Sequence, residues 1–237
     1  QTEKLLSGMT ALWNIRPEAE RSVEIDPRTV TSGKIQVFLR HGFNRFSLGV
    51  QDFNPRVLSV VRRGQDLMSV EDLVSFLRRH GCQAINFDLI YGLPGQDLAG
   101  VAETARRVTC LRPSRIALYS YAHVPWIRPA QKALEGHGLP DPDLKLALFL
   151  EMLDHLQKEG YVAIGMDHFA LPEDTLVQAL KNRTLRRNFM GYTTGRGTDL
   201  LALGESAISS IGTSYSQNCK ETIPYMEGVE QDRLPIE

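Results

Sequence analysis

Three stretches of the chain share one punctuation: FLRHGFNRFSLGV (38–50), FLRRHGCQAINFDLI (76–90) and HLQKEGYVAIGMD (155–167). In each, an amphipathic helix closes on basic or histidine side chains, which suit the negative end of a helix dipole, and a glycine follows where a left-handed cap is needed. A strand then begins. Gly42, Gly81 and Gly160 lie 39 and then 79 positions apart, one and then two strand-plus-helix units. The skipped unit is present as a helical stretch from Leu98 to Leu111, stopped near Pro113, followed by a strand over 115–121. Strands that alternate with helices in this way need right-handed crossovers between parallel neighbours, so the chain is expected to be α/β with a parallel sheet.

Helix starts agree with this division. Ser69 with Asp72 forms a capping-box pattern, and Asp141 before Pro142 opens a long helix through Lys158. From Met166 onward the regularity fades. Residues 1–167 are expected to carry the barrel-like repeat, and 168–237 to form a C-terminal appendage with its own glycine-rich loop. Within the appendage LRRNFMGYTT (185–194) follows neither a helical nor an alternating period, yet gathers arginine, aromatic, glycine and hydroxyl groups. A solvated connection is one reading of it and a functional loop the other.

Composition excludes several function classes. With 27 basic and 28 acidic residues the formal charge is −1, which provides no general positive field for nucleic acid. The longest apolar run, 144–150, is interrupted by Lys145 and is too short to span a bilayer, and no secretory signal opens the chain. Cys82, Cys110 and Cys219 are odd in number and far apart, which points to a reducing, cytoplasmic compartment and to buried or partly buried thiols rather than disulfides. His-x-x-x-His, glycine-lysine phosphate loop and Gly-x-Ser-x-Gly patterns are all missing, so zinc hydrolysis, P-loop phosphate transfer and α/β-hydrolase chemistry lack support.

The strands are not wholly apolar, as parallel strands covered on both faces would be. Side chains alternate at period two. Val23 and Ile25 therefore oppose Ser22, Glu24 and Asp26; Phe46, Leu48 and Val50 oppose Ser47, Gly49 and Gln51; Phe87 and Leu89 oppose Asn86 and Asp88. One face packs helices, and the other is expected to line a site. Glu24, Gln51 and Asp88 fall near the C-terminal ends of their strands, where α/β proteins bind ligands, although each could instead cap a helix or pair locally. Gly49 suggests a bulky group approaching the backbone. YGLPGQ (91–96) is a tight strand-to-helix turn beside Asp88. Arg62 and Arg63 are either solvated or able to clamp a carboxylate; His123 and His168 are either acid-base groups or structural.

SVEIDP, NRFSLGVQDFN, NFDLIYGLPGQ, YSYAHVP, GMDHFA and RNFMGYTT with DLLALGESAIS occur in an order and spacing that resembles the oxygen-independent coproporphyrinogen III oxidases, which are radical S-adenosylmethionine (SAM) enzymes. The resemblance runs from about Arg21 to about Asn218. The first three motifs are shared with relatives that include a haem chaperone, while YAHVP, GMDHFA and RNFMGYTT are more specific to the oxidase branch. Met190 stands where the family usually has glutamine, and Ala202 where glycine is common.

The resemblance implies part of an incomplete parallel (β/α)6 TIM-like barrel. It implies oxidative decarboxylation of two propionates of coproporphyrinogen III to vinyl groups, giving protoporphyrinogen IX. The cofactors would be two SAM molecules and a four-iron four-sulfur cluster, with flavodoxin or ferredoxin as electron donor and a monomeric full-length enzyme. By motif, Glu24, Gln51, Arg63, Asp88, Ala122 and Ile208 resemble contacts to one or other SAM, and the 185–194 loop resembles a cap over the radical site. No catalytic or metal-ligating residue is assigned within the chain. In the family the Cys-x-x-x-Cys-x-x-Cys motif and a Gly-Gly-Gly-Thr-Pro segment precede the point that corresponds to Gln1, so the chain is expected to be an internal piece, inactive alone. The alternative is a porphyrin- or haem-binding, chaperone-like relative without the radical chemistry.

Overall fold

The computed structural model describes residues 1–64, 67–195 and 199–237. They form two compact units, Gln1–Val177 and Gln178–Glu237. In chain order the first holds α1 (Thr2–Leu12), β1 (Ser22–Ile25), α2 (Ser32–Arg40), β2 (Arg45–Gln51), α3 (Pro55–Val60), α4 (Val70–Arg79) and β3 (Ala84–Tyr91). It continues with α5 (Leu98–Leu111), β4 (Arg115–Ser120), a 3-10 segment (Pro129–His137), α6 (Pro142–Lys158), β5 (Val162–Gly165) and β6 (His168–Ala170). α7 (Thr175–Lys181) carries the boundary; β7 (Arg186–Asn188), β8 (Gly191–Thr193), β9 (Ile208–Ile211), β10 (Ser214–Gln217) and α8 (Thr222–Glu230) follow.

The six-stranded sheet has the order β1-β2-β3-β4-β6-β5 and is not closed. β1 to β4 are parallel neighbours, as the helix-glycine-strand repeat predicts. Gly42, Gly81 and Gly160 have φ of +77°, +85° and +87°, the left-handed caps that only glycine adopts without strain. Asp72 N–H donates to Ser69 Oγ at 3.1 Å and Leu144 N–H to Asp141 Oδ1 at 2.8 Å, so both expected helix starts are present.

The strand after Gly160 departs from the parallel expectation. Only Met166 and Asp167 connect β5 to β6, which is too short for a crossover, so the two form an antiparallel hairpin. β6 then pairs antiparallel with β4 and separates β5 from the parallel set. β6 belongs to the sheet of the first unit, which runs to Val177.

The core lies between the helices and one sheet face. Phe46, Leu48, Ile85, Phe87, Leu89, Ile116, Leu118 and Phe169 are buried against Ile35 of α2, Leu73 and Leu77 of α4, Val108 of α5 and Leu148 and Leu156 of α6. Each large side chain contributes about 1.5–3 kcal/mol, against about 1 kcal/mol for a helix cap. Hydrophobic layering therefore sets the arrangement and the caps refine where helices begin. α1 is attached more lightly: Leu6 is its buried residue, and exposed Glu3 pairs with Arg40 and His41 of the α2 end, both at 3.0 Å.

The N-terminal end of the opposite face is closed by charge pairing. Buried Arg45 donates to Glu20 Oε2 at 2.8 Å and to Asn86 Oδ1 at 3.0 Å, while Asp174 accepts from Arg115 Nε at 2.9 Å. The rest of that face, toward the strands' C-terminal ends, carries Glu24 and Asp88.

Candidate functional site

Sheet register puts Glu24 beside Ser47, and Gly49, Asp88, Ala117 and His168 in one row across β2, β3, β4 and β6. Ser47 Oγ–H donates to Asp88 Oδ2 at 3.0 Å. Burial pushes the Asp88 carboxyl above its ordinary range; the Ser47 hydrogen bond opposes this, the nearby Glu24 charge adds to it, and His168 lowers it. Asp88 is thus a carboxyl whose charge is disfavoured first by burial and then by Glu24. His168 Nδ1 is 2.6 Å from Asp167 Oδ1, and its ring meets Tyr119 edge-on at 5.9 Å, so it is oriented by its neighbours.

At the end of β2 the strand breaks register between Gly49 and Gln51, and Gln51 takes φ +66°, a left-handed backbone unusual for a residue with a side chain. The bulky approach expected at Gly49 is intramolecular. A Cβ there would stand 3.0 Å from Gln51 Nε2 and 3.4 Å from Arg63 Nη2. Arg63 Nη2 donates to the Gly49 carbonyl at 2.9 Å and lies 3.3 Å from Asp26 Oδ1. The hydrogen bonds from Arg28 are the main reason that Asp26 is held below the ordinary carboxylate range. Arg63 is thus a fixed cation at the strand end, whereas Arg62 is exposed with φ +55°.

A cavity of about 570 Å³ opens at the C-terminal ends of these strands. Gln51 and Arg63 line it, with Leu93, Tyr121, Gln131 and His137. Ala122 follows directly after Tyr121; its carbonyl accepts from Gln131 Nε2 at 3.1 Å, while Gln131 Oε1 accepts from Val124 N–H at 2.6 Å. The 3-10 segment that supplies Gln131 and His137 has no period that sequence reading could have recognised, and only its position after β4 signals it. Behind the cavity Lys145 of α6 lies across Gly92, where a Cβ would stand 2.7 Å from Lys145 Cε, and its Nζ donates to the Tyr121 carbonyl at 2.7 Å. Gly92 and Gly95 have φ of +83° and +80°, which makes YGLPGQ the expected tight turn. His123 sits between Tyr121 OH at 3.4 Å and Glu135 Oε1 at 3.2 Å.

The structure therefore brings Gln51 and Arg63 to one cavity, leaves Ala122 next in sequence to its lining residue Tyr121, and puts Glu24 and Asp88 on the adjoining sheet face. Ile208 belongs to the second unit, where it pairs with Gln217 across β9 and β10. In that unit the 185–194 stretch is an antiparallel hairpin of β7 and β8, not an irregular loop. Asn188 Oδ1 caps its turn by accepting from Met190 N–H at 2.8 Å, which leaves Phe189 and Met190 exposed. The Phe189 ring meets Tyr215 edge-on at 5.3 Å.

Comparison with known proteins matches this architecture. The oxygen-independent coproporphyrinogen III oxidase of Escherichia coli K12 is 42% identical over 231 residues, covering 98% of this chain and 50% of that protein. The solved coproporphyrinogen III oxidase from Escherichia coli, described as a radical SAM enzyme, superimposes with a TM-score of 0.94 at 41% identity, covering 98% of this chain and 54% of that one. Residues 4–108 match the radical SAM superfamily. Those residues therefore carry a radical SAM domain. The chain's fold is accordingly a radical SAM TIM-like barrel, unclosed over the residues present. Another relative of this radical SAM chain, the Synechocystis oxygen-independent coproporphyrinogen III oxidase, is 39% identical over 237 residues, covering 100% of the chain and 51% of that protein. The chain thus spans about half the length of the curated relatives it matches.

Radical SAM membership implies a four-iron four-sulfur cluster and SAM. The cysteines here do not fit a cluster. Cys82 is buried and donates to the Asn44 carbonyl at 3.3 Å, Cys110 is exposed on α5, and Cys219 is in the second unit. The exposure of Cys110 corrects the expectation of three buried or partly buried thiols; its position on the outer side of α5 faces solvent. Among the described residues no group of three His, Cys, Asp or Glu could hold a metal ion. SAM does fit the donor set, since apolar Val60, Ile90 and Leu93 suit an adenosine and Gln51 and Arg63 suit a carboxylate. Among the described residues no helix is long and apolar enough to cross a membrane.

Proposed function

We propose that this chain supplies SAM-binding barrel wall to an oxygen-independent coproporphyrinogen III oxidase. The observation that carries the proposal is the 570 Å³ cavity at the strands' C-terminal ends, lined by Gln51 and Arg63, in a chain 41% identical to that enzyme with a TM-score of 0.94. The reaction is oxidative decarboxylation of two propionates of coproporphyrinogen III to vinyl groups, giving protoporphyrinogen IX. SAM, of which two molecules are proposed, supplies the oxidising equivalents when bound.

The chain's own residues bind and orient. Gln51 and Arg63 meet the methionine carboxylate, and Glu24 and Asp88 accept from ribose hydroxyls or the ammonium. Ala122 packs on adenosine. The donor of electrons is a flavodoxin or ferredoxin, the compartment is the cytoplasm, and the working enzyme is a monomer.

The test is anaerobic incubation of the gene product carrying this chain with coproporphyrinogen III, SAM and a low-potential reductant. Protoporphyrinogen formed in step with SAM consumption is expected. Tight tetrapyrrole binding without SAM consumption would identify a carrier instead and overturn the reading.

A further inference from the structure

Gln51 is the one cavity-lining residue that combines a left-handed backbone with a break in strand register, and the residue after it is bonded far beyond what a loop needs. Asp52 is 2% exposed. Its Oδ1 accepts from Phe53 N–H at 2.6 Å, Asn54 N–H at 2.9 Å and Thr104 Oγ1 at 2.6 Å, and its Oδ2 accepts from Gln96 Nε2 at 2.6 Å. Gln96 is itself anchored, its Oε1 accepting from Leu93 N–H at 2.9 Å and its Nε2 donating to the Ile90 carbonyl at 2.9 Å. Asp52 N–H donates to the Val50 carbonyl at 2.8 Å, closing a three-residue turn with Gln51 at its centre. A strained backbone persists only where its surroundings over-determine it.

We infer that Asp52 is a positioning residue: by tying the end of β2 to α5 through Thr104 and to the β3–α5 turn through Gln96, it holds Gln51 in its left-handed conformation with the side chain toward the cavity. The inference rests on the SAM-binding reading for its functional consequence. An isolated Gln51 would relax to an extended backbone and swing its amide away from Gly49. The four acceptor contacts of Asp52 prevent that, because any rotation of the Gln51 peptide moves Asp52 out of a fully buried network.

Two measurements on the intact protein test it. In the first, SAM affinity is compared for wild type, Asp52→Asn, Asp52→Asn with Gln96→Glu, and Val108→Ala. Asp52→Asn turns an amide donor toward Gln96 Nε2, and Gln96→Glu restores an acceptor opposite it. Asp52→Asn is expected to weaken SAM at least tenfold, and the double variant to recover part of that, because Gln96→Glu leaves the Ile90 carbonyl without its donor. Val108→Ala, in the core at the other end of the strands, is expected to lower the melting temperature with affinity kept. Affinity within twofold of wild type in Asp52→Asn, or an equal loss in Val108→Ala, would overturn the inference. The second measurement needs no ligand. Gln51→Gly should raise the melting temperature of the wild type by removing strain, and the gain should vanish when Asp52→Asn is already present. An equal gain in both backgrounds would show that Asp52 does not hold Gln51. A wild type that binds no SAM would sink the proposed function, while this thermal comparison would still decide the role of Asp52.

Discussion

Replacing Asp88 by asparagine should move stability and ligand affinity in opposite directions. The Asp88→Asn amide keeps an acceptor for Ser47 Oγ, now 3.0 Å from Asp88 Oδ2, and removes the charge that burial and Glu24 both disfavour. Stability at pH 7 should lie between unchanged and about 1 kcal/mol higher. If the carboxylate accepts from SAM, losing that charged hydrogen bond costs about 1.5–3 kcal/mol, a loss in affinity of roughly tenfold to 150-fold. The sign with pH is also set. A carboxyl whose folded pKa is raised binds its proton more readily when folded, so its contribution to stability rises as pH falls through the folded value toward the ordinary 3.8. SAM affinity should fall over the same window, which begins above the usual carboxylate range. Calorimetric titration with SAM and thermal unfolding, each across pH, measure both quantities. Unchanged affinity together with a lower melting temperature in Asp88→Asn would refute the reasoning and make Asp88 a sheet-holding residue.

Three further outcomes are expected. Arg63→Lys should lose about 1 kcal/mol of stability along with SAM affinity, because one ammonium cannot serve both the Gly49 carbonyl and Asp26 as Arg63 does; an unchanged melting temperature would count against this. Gly92→Ala should destabilise by about 1–2 kcal/mol, since its Cβ meets Lys145 Cε at 2.7 Å on a backbone at φ +83°, and equal thermal stability would show that Lys145 gives way. The 237-residue chain reconstituted anaerobically with iron and sulfide should take up no stoichiometric cluster, because its three cysteines are apart; iron uptake lost on replacing those cysteines would contradict it.

The repeat is legible because it is written in local chemistry. A glycine at φ +77° or +85° after a basic helix end needs no distant partner to be recognised, and period-two alternation puts Phe46 and Leu48 on one face wherever the strand lies. The β5–β6 hairpin is not legible in this way. Its strands are short and its pairing depends on which edge of β4 is open, a non-local fact. The same holds at the site. Gln51 and Asp88 announce themselves by parity on their strands, but whether Arg63 is free or pinned depends on Asp26 and the Gly49 carbonyl, 37 and 14 positions away. Asp52 escapes sequence reading because a polar residue at a strand end looks like an ordinary turn until Thr104 and Gln96 are brought to it.

The light attachment of α1 means that salt acts unevenly on this molecule. Burial of Phe46 or Phe87 is not weakened by charge screening, but the contacts from Glu3 to His41 and Arg40 lie in solvent, where they hold the Glu3 carboxyl below its ordinary range. At 1 M salt the screening distance shrinks to about 3 Å, the length of those contacts. Brine would therefore weaken the charged attachment of the first helix to the end of α2 while leaving the parallel strands intact.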